Sequence, residues 1–162
     1  MVMDDIKELL TGLGLTPKLL TALVQGIPAE RLDLRRGEGS WTIAEHVSHL
    51  AEVQPMLLGR LHRLATEDHP VFVPFLPTDE PSTPFRQDMT VALEQFATYR
   101  TRQLELLEQL DQAVFAKAGS HPEYDSYTLY ILTRHILMHD HWHMYRIEEL
   151  WLTKDQYLTA LS

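Results

Sequence analysis

The sequence predicts an all-α fold: a four-helix bundle with a long crossover between the second and third helices. Three observations predict it. Four segments carry apolar residues at helical spacing, strand-like alternation is absent, and prolines 70, 74, 77, 81 and 84 cluster between the second and third segments. Long amphipathic helices bury their apolar stripes against one another. A length of 162 residues with 44% hydrophobic content suits one domain, spanning 1–162.

The elements follow in order. Residues 3–26 read as helical but carry Gly12, Gly14 and Pro17. Thr16 before Pro17 is a good N-cap and first helical position, so a helix is expected to restart there and run to Gly26. Residues 27–40 form a loop, with a short turn at Ala29–Leu32. Ser40 or Thr42 caps the second long helix, and Thr42 with Glu45 forms a capping box. This helix runs to Glu67 through Ile43, Val47, Leu50, Leu57, Leu61 and Leu64. Pro55 lies inside it and should kink it, freeing the Ala51 carbonyl. The proline-rich stretch 68–84 is the crossover, either a cover for a pocket or a dimer contact. A third helix is expected from Phe85 to Asp111, an irregular stretch over 112–126, a fourth helix over 127–152 and a short final helix after Thr153.

Composition excludes several functions. There is no cysteine, so disulfides, thiolate ligands and a cysteine nucleophile are ruled out. A formal net charge of −9 opposes binding to a phosphate backbone, and Arg31, Arg35 and Arg36 are the one local basic cluster. No nucleic-acid partner is expected. No run of apolar residues is long enough for a membrane span, and the N-terminus does not read as a signal peptide, so a cytoplasmic location is expected.

The chemistry lies in histidines. His135, His139, His141 and His143 share the fourth helix. Imidazoles one turn apart converge above a helix face, so His139 and His143 are candidate ligands of one divalent ion. The string His139-Asp140-His141-Trp142-His143 differs from the zinc-protease pattern, which needs a glutamate where Asp140 stands. A di-iron carboxylate site needs paired Glu-x-x-His motifs, and Ser48 occupies the required position after Glu45. The second helix offers His46 and His49 as a third ligand, with His62, His69 and His121 behind them. Periodicity favours His46, which falls within the apolar stripe, while His49 falls at its edge. Glu45, Asp140 and Glu148 are candidates to orient imidazoles or carry protons, with surface or capping roles as the simpler reading. Tyr145, Trp142 and Trp41 are candidate pocket walls, although core packing is preferred for both tryptophans.

Two motifs resemble the DinB-like family, which includes the YfiT-like proteins. Trp41-Thr42-Ile43-Ala44-Glu45-His46-Val47-Ser48-His49-Leu50 is similar to that family's W-[ST]-x-x-E-x-x-x-H-L, and His135 to His143 is similar to its H-x-x-x-H-x-x-x-H run. The resemblance covers nearly the whole chain. It implies an up-down-down-up bundle and a three-histidine metal site of His49, His139 and His143, with His46 in reserve. Zinc is expected first, then nickel, manganese or iron. It also implies a small-molecule substrate, a low-molecular-weight thiol as possible co-substrate, S-transferase or hydrolase chemistry, and a homodimer. The alternative is a non-catalytic metal-binding stress protein. Many relatives continue with Arg-Gly-Gln where this chain has Met144-Tyr145-Arg146-Ile147, so their substrate chemistry is not carried over.

Overall fold

The computed structural model describes residues 2–74 and 85–160. Helix α1 spans Ile6–Gln25 and is followed by the single turn α2, Ala29–Leu32. The second arm consists of α3, Ile43–Glu52, and α4, Gln54–Thr66. Helix α5 covers Met89–Leu107, and α6 covers Leu129–Leu152. Among the described residues no helix is long and apolar enough to cross a membrane.

The four arms form an up-down-down-up bundle. Helix α1 packs on α5 and α6, and the α3–α4 arm packs on the same two helices. The first and second arms therefore lie diagonally opposite. The second and third arms are neighbours that run in the same direction, so the chain needs a long crossover back along the bundle to begin α5. Pro77, Pro81 and Pro84 of that crossover lie outside the described residues.

Local chemistry sets the elements. Thr42 accepts the Glu45 backbone N–H at 3.1 Å while the Glu45 carboxylate accepts the Thr42 N–H at 2.7 Å, the capping box expected. Pro55 splits the second arm at Val53. The Ala51 carbonyl, which Pro55 cannot reach with an N–H, accepts the Gln95 side chain at 3.2 Å.

Several expectations are corrected. Helix α1 does not restart at Thr16; it is continuous, with Pro17 inside it. Pro17 leaves the Leu13 carbonyl without its usual donor, and Arg100 Nη1 on α5 donates to it at 3.0 Å. Thr16 is fully buried and bonds to Asp140 instead of capping. The stretch 112–126 is not irregular. It holds a short 3-10 turn and an antiparallel hairpin, β1 (Ala118–His121) with β2 (Tyr124–Thr128), and Val71 bridges to Ser120 in parallel. Gly119 permits this, since a Cβ there would sit 2.6 Å from the Pro70 carbonyl and 2.9 Å from the Phe72 ring. Helix α5 starts at Met89, where Asp88 caps it, rather than at Phe85.

The core has two apolar halves with a polar waist. Leu9, Leu13, Leu57, Leu61, Leu132 and Ile136 pack at one end, and Leu20, Val24, Ile43, Leu50, Phe96 and Ile147 at the other. Between them Arg100 meets Asp140 at 2.7 Å with the two side chains 1% and 0% exposed. Arg100 also donates to Thr16 at 2.6 Å and to Gln103 at 2.8 Å, and Gln103 donates to Gln54 at 2.9 Å. All four helical arms contribute.

Removing one member of a buried ion pair strands the other charge in a low dielectric. Asp140→Ala is therefore expected to cost about 3–5 kcal/mol. The double variant Asp140→Ala with Arg100→Met should recover a large part of that loss in urea unfolding. Equal destabilisation in both variants would show that the pair is not what holds the waist.

Candidate metal centre

Two helices bring the histidines together. On α6, a turn of about 100° per residue puts His143 roughly 60° and His139 roughly 100° round from Asp140, on the same side. With Asp140 fixed in the bundle waist, both imidazoles project toward α3. There His49 Nε2 lies 3.2 Å from His139 Nε2, and His143 Nε2 also lies 3.2 Å from His139 Nε2. One ligand atom from each of His49, His139 and His143 falls within 4.8 Å of the others. Two nitrogens held tetrahedrally at about 2.0–2.1 Å from one ion would be roughly 3.4 Å apart. The spacing therefore fits a shared divalent ion.

The donor chemistry fits as well. Burial pushes the pKa of His49 down to about 4 and that of His139 to about 3, and moves His143 lower still. All three imidazoles are neutral near neutral pH, the form a metal requires. The Nδ1 atoms of His49 and His139 are buried without a protein partner. Each can keep its proton on Nδ1 and present the Nε2 lone pair inward.

His46 stands behind this group. Its Nδ1 lies 2.8 Å from His143 Nδ1, and its ring is 3% exposed. If His143 Nε2 is a ligand, its Nδ1 carries the proton and donates to His46 Nδ1. Periodicity correctly placed His46 inward, and the edge of the apolar stripe is where His49 meets α6. Trp41 covers the group from the α3 start, stacked on His143 at 5.9 Å and edge-on to His49 at 5.1 Å.

The remaining candidates take other roles. Asp140 pairs with Arg100 and Thr16 and contacts no imidazole of the group, because it faces the waist. Glu45 is occupied by the capping box and by Arg35 at 2.6 Å. Glu148 is exposed. Tyr145 is 64% exposed and is not among the residues that line the cavity beside His49 and His139. Trp142 is 48% exposed, so it is not core, yet its ring packs edge-on to His143 at 4.7 Å and lies 6.2 Å from His46. Both sit nearly opposite Asp140 on the α6 wheel. The basic cluster is also accounted for. Arg31 and Arg36 donate to the Leu150, Trp151 and Thr153 carbonyls at the α6 C-terminus, and Arg35 to Glu45.

His49 and His139 share a cavity of about 180 Å³ with His121 and His135, and with Arg60 and Tyr127, which sequence reasoning missed. Arg60 falls eleven residues after His49, close to three helical turns, a same-face signal readable from the sequence.

Protonation linkage gives a test. The unfolded histidines take up protons near the ordinary value of 6.5, whereas the folded ones resist until pH 3–4. Between those limits the unfolded chain binds more protons, so stability falls as pH falls. Denaturant midpoints of metal-free protein should drop steadily from pH 6.5 to 4 and drop less in His49→Leu. Flat midpoints over that range in the wild type would contradict the buried, neutral cluster.

Comparison with known proteins fits the geometry. The chain is 28% identical over 151 residues to a Geobacillus thermodenitrificans (strain NG80-2) protein named "Putative metal-dependent hydrolase", a match covering 91% of this chain and 84% of that protein. The fold matches that of YfiT from Bacillus subtilis, described as a probable metal-dependent hydrolase with an unusual four-helix bundle topology. That match has a TM-score of 0.80 at 23% identity and covers 93% of this chain and 88% of the other. A family model described as the DinB superfamily matches residues 13–147, and the chain belongs to that superfamily.

Proposed function

We propose that this protein is a metal-dependent hydrolase of a small molecule, with one divalent ion, zinc first, held by His49, His139 and His143. The observation that carries the proposal is the convergence of three neutral imidazoles, with His139 Nε2 3.2 Å from both His49 Nε2 and His143 Nε2 and all three ligand atoms within 4.8 Å of one another. The names of the relatives support the same reading.

His49, His139 and His143 would hold the ion as neutral ligands, and the ion would supply an activated water with a pKa of about 7. The chain's own residues supply the rest. His49 joins α3 to α6, so the site exists only when these helices are docked. His46 holds the His143 ring with its proton on Nδ1. His135 and His121 line the adjoining cavity and are placed to exchange protons with a substrate there. A thiolate could occupy the same open position as hydroxide. The transferase reading therefore shares this site and differs in the nucleophile.

Metal analysis after loading and desalting should find about one ion per chain in the wild type and almost none in His49→Ala, His139→Ala or His143→Ala. Unchanged stoichiometry in all three variants would remove the site. His46→Leu should retain the ion but weaken its affinity roughly 10–100-fold. Zinc-loaded protein should hydrolyse activated esters or amides with a pH limb near 7. Turnover that appears only when a small thiol and an electrophile are supplied would assign the transferase reading instead.

A further inference from the structure

The cavity beside the histidines has a direction. His49 to Arg60 covers about 16 Å of helix rise along α3 and α4. His139 to Leu132 runs back along α6 in parallel with it, and the hairpin closes the side with His121 and Tyr127. Its volume of about 180 Å³ equals roughly six waters.

Arg60 carries the positive charge of this cavity. Its Nη1 donates to the Tyr127 hydroxyl at 3.2 Å and its Nη2 to the Val73 carbonyl at 2.7 Å. Both acceptors are neutral. Among the described residues no carboxylate lies within ion-pair distance of Arg60, whereas the buried Arg100 and Arg146 each face one. Glu123 also borders the cavity but is exposed and unpaired with Arg60. The neighbouring groups are donors as well. The Tyr127 oxygen accepts from Arg60, so its own proton remains to be donated. His121 Nδ1 accepts the Glu123 N–H at 3.2 Å, which places the His121 proton on Nε2. A guanidinium with no counter-ion among the described residues, set among donors in a cleft with apolar walls, attracts and orients an anion.

We propose that this cavity is the substrate subsite of the centre described above and that it takes a carboxylate. In this arrangement Arg60, assisted by Tyr127 and His121, binds the carboxylate of a small, largely apolar acid. The other end of that acid lies toward His49 and His139. The orientation of the substrate rests on the metal reading; the carboxylate site does not.

Benzoate is a suitable probe, with benzamide as its neutral counterpart. Binding is measured by NMR titration on the full-length chain, once loaded with zinc and once stripped of metal by a chelator. Benzoate should bind in both states, and benzamide at least tenfold more weakly. Arg60→Met should weaken benzoate at least tenfold without changing benzamide, and Arg60→Lys should recover part of the loss. Thermal melts of both variants check that they fold. Benzoate affinity that is insensitive to Arg60→Met, or no binding in either state, would overturn the subsite. Benzoate binding that appears only with zinc and disappears in His139→Ala would assign the acid to the ion itself, which also overturns it. Failure to load zinc, with Arg60-dependent binding intact in the stripped protein, would refute the metal reading and leave the carboxylate site standing.

Discussion

Arg100 and Asp140 meet at 2.7 Å in a layer that is apolar above and below, with both side chains shut off from water. A charge in that position has few alternatives, because any rotation of α6 that withdrew Asp140 would leave Arg100 without its counter-ion. The pair therefore fixes how α6 is turned about its axis. His139 and His143 are carried toward α3, and Met138, Trp142 and Tyr145 face outward, at 60%, 48% and 64% exposure. The carboxylate next to the histidines acts on the site through helix orientation rather than by touching an imidazole.

Helix α5 holds no histidine, yet it packs on the α3–α4 arm and reaches α6 through the Arg100–Asp140 pair. Two prolines lie in the packed helices, and each deprives a carbonyl of its helical donor. Arg100 answers the Leu13 carbonyl left by Pro17, and Gln95 answers the Ala51 carbonyl left by Pro55. The break at Val53 lies one turn after His49, so the arm that delivers this imidazole ends its straight run there before α4 continues to Arg60. His49 before the break and Val53, Leu57 and Arg60 from it onward form one wall of the cavity between the histidines and the hairpin.

Some of this was legible in the sequence, for identifiable reasons. The Thr42–Glu45 cap is local chemistry and needs no tertiary partner. The histidine spacing on α6 and the kink at Pro55 are equally local. Continuous α1 was not legible, because the donor that rescues the Leu13 carbonyl comes from eighty-seven positions away. The hairpin was hidden because Gly119 reads as a breaker until the Pro70 carbonyl packs against it. Asp140 was misjudged by type. Its wheel position lies amid Ile136, Leu129 and Ile147, and that inward direction outweighed the polarity of the side chain once Arg100 was opposite. Geometry separates His46 from His49: the more deeply buried histidine backs His143 at Nδ1, and the one at the edge of the stripe lies beside the His139 Nε2.

The central claim is that α3 and α6 close one three-histidine metal centre. An anomalous difference map from crystals of zinc-loaded protein, collected on both sides of the zinc edge, tests it most directly. The account predicts a single strong peak that appears only above the edge, about 2.0–2.1 Å from Nε2 of His49, His139 and His143. A peak at other residues, or no peak among these three in crystals that contain zinc elsewhere, would contradict it.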